Sequence, residues 1–322
     1  MSGRYLVTGA TGFVGRRLVE RLLAEGAQVT ALVRRTRGLP LPVRAVIGDL
    51  ATGDGLEEAV RDADHVVHLA GVVRARNAAG YFRVNHYGTS LLVRALAQRP
   101  VPPRLVLCSS LAAAGPRLTG RPVSLYGLSK RAGEDVAREY AGRVPTIIVR
   151  PPIVYGPGDP ALLPSLLPMI RLGLVAKAGL GERRYSLIHV DDLCEVLIAA
   201  AERGRTVRPG DPSHGVYEVD DGREYTWAEV CAALARALGR RPPVVVPVPI
   251  PLVRAAAWAA EAGGRTPWLN RDKVREMTAR AWTCDPARDG HDLGLPPPVS
   301  LPAALAALFA ADPADGVPGE RV

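Results

Sequence analysis

Tyr126-Gly-Leu-Ser-Lys130 carries the clearest chemical signal in the chain. Only three lysines, Lys130, Lys177 and Lys273, occur among 322 residues with nine tyrosines, so a Tyr followed four positions later by Lys is expected about 0.08 times by chance. Arginine supplies nearly all the other positive charge, and it cannot replace Lys where a compact, titratable ammonium is required. On a helix, positions i and i+4 share a face. An ammonium beside a phenol favours the phenolate and lowers its pKa from about 10, which makes the pair a candidate proton donor and acceptor. A plain surface contact between the two side chains is the alternative.

A second chemical signal opens the chain. Thr8-Gly9-Ala-Thr11-Gly12-Phe13-Val14-Gly15 lies between an apolar strand and a helical pattern. Glycines there permit a tight turn and a close approach to phosphate, and the helix N-terminus adds free N–H groups and its dipole. The spacing is G-x-x-G-x-x-G, and a structural turn is the competing reading. The second strand ends Val33-Arg34-Arg35, and no Asp or Glu occurs between Glu25 and Asp49. An acid near this point holds a ribose 2′-hydroxyl, whereas two arginines suit a 2′-phosphate. NADP(H) is therefore favoured. NAD(H) stays possible if Arg34 and Arg35 only stack on adenine or face solvent. Asp49 could accept from an adenine amino group or cap the next turn.

The elements that must position these residues follow from patterning. Strands are expected at Arg4–Thr8, Gln28–Val33, Val43–Gly48, His65–Leu69, Arg104–Cys108 and Thr146–Arg150, with helices at Phe13–Ala24, Leu56–Arg61, Tyr81–Gln98 and Ser124–Tyr140. Such alternation implies a parallel sheet covered on both faces. Beyond Pro151 the texture turns Pro-rich and irregular up to Tyr185. The strand Ser186–Val190 and helix Leu193–Glu202 come next, then Tyr217–Val219, a helix Trp227–Leu238, a Pro-rich crossing at 242–251 and shorter helices to about residue 310. The expected class is α/β, a doubly wound Rossmann sheet with a smaller C-terminal substrate lobe. Residues 1–155 with 186–204 form the dinucleotide domain, 156–185 and 205–310 the lobe, and 311–322 a disordered tail.

Composition narrows the function. A net charge of +9 without a run of five like charges, and only three Phe, argue against a nucleic-acid groove. Cys108, Cys194, Cys231 and Cys284 form no metal-type pair and fit a reduced cytoplasmic setting. His65 and His68 stand at an odd offset on one strand, facing opposite ways, so no metal is expected. Met1-Ser2-Gly3-Arg4 runs straight into a strand rather than a signal peptide. The apolar stretch Val244–Ala262 is broken by prolines and Arg254 and cannot span a bilayer. A helix over Leu252–Ala262 could rest on a membrane, but packing inside the protein is the expected arrangement. Trp227, Trp258, Trp268 and Trp282 are expected in the core or a pocket wall.

An ordered motif series adds to these readings. It runs through the N-terminal Thr-Gly-x-x-Gly-x-x-Gly, Gly48-Asp49-Leu50, His68-Leu69-Ala70-Gly71, Val84-Asn85-x-x-Gly88-Thr89 and Cys108-Ser109-Ser110, then Tyr126-x-x-x-Lys130, Arg150-Pro151-x-x-Val154-Tyr155-Gly156 and His189-Val-Asp-Asp192. In this it resembles the extended short-chain dehydrogenase/reductases, the NAD-dependent epimerase/dehydratase group, over at least residues 4–200. Its texture is most similar to the dihydroflavonol reductase and 3β-hydroxysteroid dehydrogenase branch. The resemblance implies that Tyr126 is the acid/base, that Lys130 tunes it and holds the nicotinamide ribose, that Ser110 (with Ser109 as neighbour or substitute) binds the substrate oxygen, and that Asn85 supports the site. It further implies Leu69-Ala70-Gly71 along ribose and phosphates, Leu50 beside Asp49, and Pro151 and Ile153 flanking the nicotinamide. A homodimer through the helices at 81–98 and 124–140 is implied too. Arg150 and His189-Val-Asp-Asp are expected to be structural.

Two departures bear on the reaction. Ser110 and Tyr126 are only sixteen positions apart, and the intervening Pro116–Pro122 loop is basic and acid-free. The positions after Ser110 are Leu111, Ala112, Ala113 and Ala114, with none of the extra acids or bases that dehydration uses. Plain interconversion of a ketone and a secondary alcohol is expected, and the apolar Leu162–Ala176 suggests a small apolar substrate, with core packing explaining its leucines equally well. The alternatives are a nucleotide-sugar epimerase, dehydratase or reductase, with Arg171, Arg183 and Arg184 on a diphosphate, and a non-catalytic NADP-sensing regulator.

Overall fold

The computed structural model describes residues 3–39, 42–262 and 269–311. Met1, Ser2, Trp268 and the tail expected beyond residue 311 lie outside the described residues. The chain opens with the strand β1 (Arg4–Thr8), the helix α1 (Phe13–Ala24), β2 (Gln28–Val33), β3 (Arg44–Ile47), α2 (Leu56–Val60) and β4 (His65–His68). There follow α3 (Ala78–Phe82), a π-turn at Arg83–Gly88, α4 (Thr89–Ala97), β5 (Arg104–Cys108), α5 (Leu111–Ala114), α6 (Leu125–Glu139) and β6 (Thr146–Val149). The second half holds β7 (Ile153–Tyr155), α7 (Leu162–Arg171), β8 (Leu174–Ala178), β9 (Arg184–Tyr185), β10 (Leu187–His189), α8 (Val190–Arg203), β11 (Val216–Tyr217), β12 (Tyr225–Thr226) and α9 (Trp227–Ala237). It closes with β13 (Val244–Val248), α10 (Ile250–Ala262), α11 (Arg271–Thr278), β14 (Ala281–Trp282) and α12 (Leu301–Ala311).

Seven parallel strands form the main sheet in the order β11-β6-β5-β4-β1-β2-β3. Strand order reverses between β1 and β4, which opens a crevice at the carboxyl ends of the strands, where doubly wound sheets bind ligands. One face is sealed by α1 and α8, whose Leu18, Val19, Leu193 and Leu197 meet Val7, Val67 and Val106. The other is sealed by α2, α4 and α6, with Leu92, Val93 and Ala137 against Leu6, Val66 and Leu105. A separate, smaller core is formed by α7, α9 and α12. Val216–Tyr217, in a stretch expected for the lobe, supplies the seventh strand.

Several expectations change locally. The helix expected over Tyr81–Gln98 is helical from Ala78 to Ala97 but widens to a π-turn around Asn85. Residues 156–185, expected to be irregular, contain α7 and β8. Pro164 sits in the first turn of α7, where a missing N–H costs nothing, and the Asp159 carboxylate accepts from the N–H groups of Ala161, Leu162 and Leu163. The Pro-rich crossing forms β13, which among the described residues pairs only with β8, so Pro247 is tolerated on a ribbon. The expectation that residues 252–262 pack inside the protein is overturned. Only Val253 and Ala257 of α10 are buried, and Trp258, expected in the core or a pocket wall, is 65% exposed and lines a groove against α11.

A buried ion triad ties the two halves together. Arg150, just after β6, grips Glu134 of α6 through Nε (2.9 Å) and a second nitrogen (2.6 Å), and reaches Glu218 at 3.1 Å. The other Glu218 oxygen accepts from the Asp285 N–H at 3.0 Å. Burial opposes the Glu134 charge, but the guanidinium wins and holds its pKa below the usual range. Removing one partner of a buried pair leaves a charge uncompensated and typically costs about 3–5 kcal/mol. Glu134→Ala should therefore lower the unfolding free energy by about that amount in urea titration. A loss under about 1 kcal/mol would mean that solvent reaches Arg150 freely.

Candidate active site

Because the sheet is parallel, the segments after its strands converge on one edge. They are the glycine turn after β1, Arg34-Arg35 after β2, Asp49 after β3, Leu69–Gly71 after β4, Ser109-Ser110 after β5 and Pro151 after β6. The glycine turn is a close backbone crossing. Gly9 has φ +74°, and a Cβ on it would lie 2.7 Å from the Ala70 nitrogen, while a Cβ on Gly15 would collide with the Gly9 carbonyl. Only glycine lets α1 begin so near β1 and β4. The α1 N-terminus has Gly12 as its cap, with no side chain accepting from its N–H groups and no acid in its first turn. These free donors and the helix dipole fit a pyrophosphate. Phe13 and Val14 form the first turn of that helix and pack against the sheet core.

Around this cradle the structure separates the sequence candidates. Arg34 and Arg35 are exposed past the end of β2. Arg16 joins them and was not foreseen. Its Nε donates to the Thr11 carbonyl at 3.1 Å, and its guanidinium would be 2.6 Å from a Cβ on Gly38. It thus bridges the glycine turn and the Arg34–Gly38 loop. Asp49 accepts from the Ala51 N–H at 2.8 Å, so one oxygen caps the local turn. Leu50 is buried in the core beneath Gly88.

Asn85 clamps the loop after β4. Its Oδ1 accepts from the Val72 N–H (2.8 Å), and its Nδ2 donates to the Val72 carbonyl (3.0 Å) and to Ser129 Oγ (2.9 Å). Its side chain therefore binds backbone and a neighbouring helix. Behind it, Thr89 Oγ1 donates its single proton to the Asn85 carbonyl at 2.9 Å. Toward His68 Nε2, 3.0 Å away, Thr89 must accept, which fixes the proton on Nε2. Nδ1 then accepts from Thr8 Oγ1 at 2.7 Å, and Thr8 in turn accepts from the Ala70 N–H. Burial first, and Lys130 second, push the His68 pKa down to about 3. This neutral imidazole links β1, β4 and α4. His65, by contrast, stacks on Tyr5.

The reactive candidates meet beside the crevice. Ser110 is the cap of α5, its Oγ accepting from the Ala112 N–H at 3.1 Å, and it lies close enough to the Tyr126 phenol to draw its pKa down. Ser109 turns the other way. Its buried hydroxyl faces Glu134 and helps hold that carboxylate's pKa low, without completing an aligned hydrogen bond. Lys130 is buried, and its Nζ donates to the Cys108 carbonyl at 2.7 Å and sits 3.6 Å from the place of a Cβ on Gly71. Pro151 accepts from the Leu111 N–H, and Ile153 begins β7.

One electrostatic expectation is corrected. Lys130 was expected to lower the Tyr126 pKa. Burial instead raises it above the ordinary phenol value and outweighs the Ser110 contribution, with the carboxylate of Glu276 adding to the rise. The Lys130 ammonium is committed to a carbonyl, and burial lowers its own pKa. Tyr126 is thus held as a neutral acid.

The N-terminus of α6 depends on distant residues that sequence reasoning missed. Asp272 of α11 accepts from the Leu125 (2.7 Å) and Tyr126 (3.3 Å) N–H groups, and Ser124, the cap of α6, donates to Glu276 at 2.7 Å. Nothing local marks these acids, because they lie about 150 positions away. The candidates for a diphosphate also change. Arg183 is buried, spent on the Ala178 and Gly181 carbonyls, and Arg184 pairs with Glu182. His189 caps α8, and its neighbour Asp191 pairs with Arg17.

Comparison with known proteins follows the same lines. The model of the NAD-dependent epimerase/dehydratase family matches residues 5–219. The ceramide reductase of Caulobacter vibrioides is 36% identical over 292 residues, 87% of this chain and 86% of its own length. Among solved structures, MoeE5 in complex with UDP-glucuronic acid and NAD aligns with TM-score 0.74 at 27% identity, covering 96% of this chain and 98% of its own. The human epimerase family protein SDR39U1 with NADPH aligns with TM-score 0.73 at 26% identity, covering 95% of this chain and 99% of its own.

The phenol offers a direct check. Subtracting the tyrosinate absorbance of Tyr126→Phe from that of the wild type should isolate one tyrosine that ionises above the ordinary value of about 10. A raised pKa keeps the protonated form across neutral pH, so a difference signal growing in near pH 7 would contradict the burial argument.

Proposed function

The chain belongs to the NAD-dependent epimerase/dehydratase family, and from that premise we propose that it reduces a ketone to a secondary alcohol on an apolar, long-chain substrate, with NADP(H) favoured over NAD(H). It is an extended short-chain dehydrogenase/reductase, an NAD(P)-dependent enzyme. The observation that carries the proposal is the neutral Tyr126 phenol beside the Ser110 hydroxyl, with only apolar residues following Ser110. When bound, a nicotinamide cofactor supplies the hydride. Tyr126 gives its proton to the oxygen that becomes the alcohol, and Ser110 donates a hydrogen bond to that oxygen as negative charge develops. Water then returns a proton to the phenolate. Lys130 would hold the cofactor ribose, and Asn85 keeps the loop at Gly71–Val72 and α6 in register.

NADP(H) is supported by the exposed Arg34 and Arg35, the nearby Arg16 and the acid-free end of β2. The long-chain substrate is supported by the ceramide reductase relative, whereas the leucines of α7 are taken up by core packing. A nucleotide-sugar substrate draws less support, because Arg183 is engaged with backbone inside the lobe. A second copy could pair through α4 and α6, where Tyr87 and Leu128 stand exposed nearby.

The test is NADPH oxidation by the purified chain with long-chain ketones, oxidised ceramides among them, and with UDP-glucose. Turnover of the lipid ketones is expected, and Tyr126→Phe should cut kcat/KM by about 10²–10⁴-fold. Turnover of the nucleotide sugar alone would sink the proposal. Replacing Arg34 and Arg35 by Ala should raise KM for NADPH and leave KM for NADH nearly unchanged, and equal changes would remove the 2′-phosphate assignment.

A further inference from the structure

The helix α10, Ile-Pro-Leu-Val-Arg-Ala-Ala-Ala-Trp-Ala-Ala-Glu-Ala, has an unusual surface. It packs through one narrow seam, Val253 and Ala257, against Ala178, Val248 and Val274. At 3.6 residues per turn, the side opposite that seam carries Pro251, Leu252, Ala255, Trp258 and Ala259, all exposed. Leu252 is 61% and Trp258 65% exposed. A surface helix normally puts polar residues there, and one that is apolar all round is normally covered.

The charges beside this face are sorted by sign. A groove of about 470 Å³ between α10 and α11 is lined by Trp258 with Arg254, Arg271 and Arg275. The acids of α11, Asp272 and Glu276, are engaged at the N-terminus of α6, and Asp272 also comes within 3.9 Å of the largely exposed Arg275. Glu261 is the acid of α10, and it pairs with Arg271 at 2.7 Å. The result is an apolar ridge rimmed by arginines. A second copy packed on this ridge about a two-fold axis would bring like charges together. An anionic surface would meet them favourably, and an indole suits the boundary between headgroups and acyl chains.

The geometry points to α10 and α11 as a docking face for an anionic phospholipid bilayer, with Trp258 and Leu252 entering the interface and Arg254 and Arg275 meeting phosphates. The opposite side of α11 holds the N-terminus of the helix that carries Tyr126. Docking therefore sets the candidate active site beside the bilayer, from which a long-chain ketone could enter. That last consequence rests on the proposed reductase activity, whereas the docking itself does not.

Flotation of the purified chain, without cofactor or substrate, tests the docking. Vesicles of phosphatidylcholine with phosphatidylglycerol should carry the protein upward, and vesicles of phosphatidylcholine alone should carry it far less. Brominated acyl chains should quench indole fluorescence in the wild type more than in Trp258→Phe, which still floats. Leu252→Glu with Trp258→Glu should abolish flotation at an unchanged melting temperature. Arg254→Gln with Arg275→Gln should weaken it about 30-fold, two charges at about 1 kcal/mol each. Failure of the wild type to float, equal flotation with neutral vesicles, or a Trp258→Glu variant that floats normally but turns a dimer into a monomer in light scattering would overturn the proposal. No substrate enters this assay, so its failure leaves the reductase reading standing, and the reverse also holds.

Discussion

Helix α6 turns Ser129, Lys130 and Glu134 into the protein, and a buried polar group is tolerated only when it is paired. Much of the architecture answers that requirement. Lys130 takes the Cys108 carbonyl at the end of β5, Ser129 takes Asn85, and Glu134 takes Arg150. Through Arg150 the demand passes to Glu218 and from there to the segment at Asp285. The N-terminus of the helix is met by Ser124, Asp272 and Glu276. A helix held at so many points has little freedom to tilt, which suits the proton donor proposed on its first turn.

Burial and chemistry are linked at Tyr126. The low-dielectric setting that makes the pairing strict also disfavours the phenolate, so the residue rests as an acid. Ser110 partly offsets this, and Glu276 adds to it from the lobe. The lobe thus acts on the reactive end twice, through the backbone cap and through charge. Its α11 joins the α6 terminus on one side and the arginine-rimmed ridge of α10 on the other.

Much of the nucleotide half was legible in the sequence. Alternating apolar runs and amphipathic stretches gave the order of strands and helices, and the glycine spacing located the tight turn after β1. Choosing between Ser109 and Ser110 needed the resemblance, and the fold places them on opposite sides, one toward Glu134 and one toward Tyr126. The lobe read poorly because prolines mask its elements. Pro164 sits where a helix tolerates it, and Pro247 lies in a ribbon. The buried reading of α10 failed because an apolar composition states a need for cover, not what supplies it.

By itself the sequence determined what is local: the period of each element, the four-residue spacing of Tyr126 and Lys130, and the absence of an acid after β2. These depend on neighbours a few bonds away. Only the tertiary structure decided the sign of the Tyr126 pKa shift, the partners of Lys130 and Arg150, the acids at the α6 terminus and the exposure of Trp258. Desolvation and pairing depend on which groups arrive from distant parts of the chain, and residue spacing does not encode that.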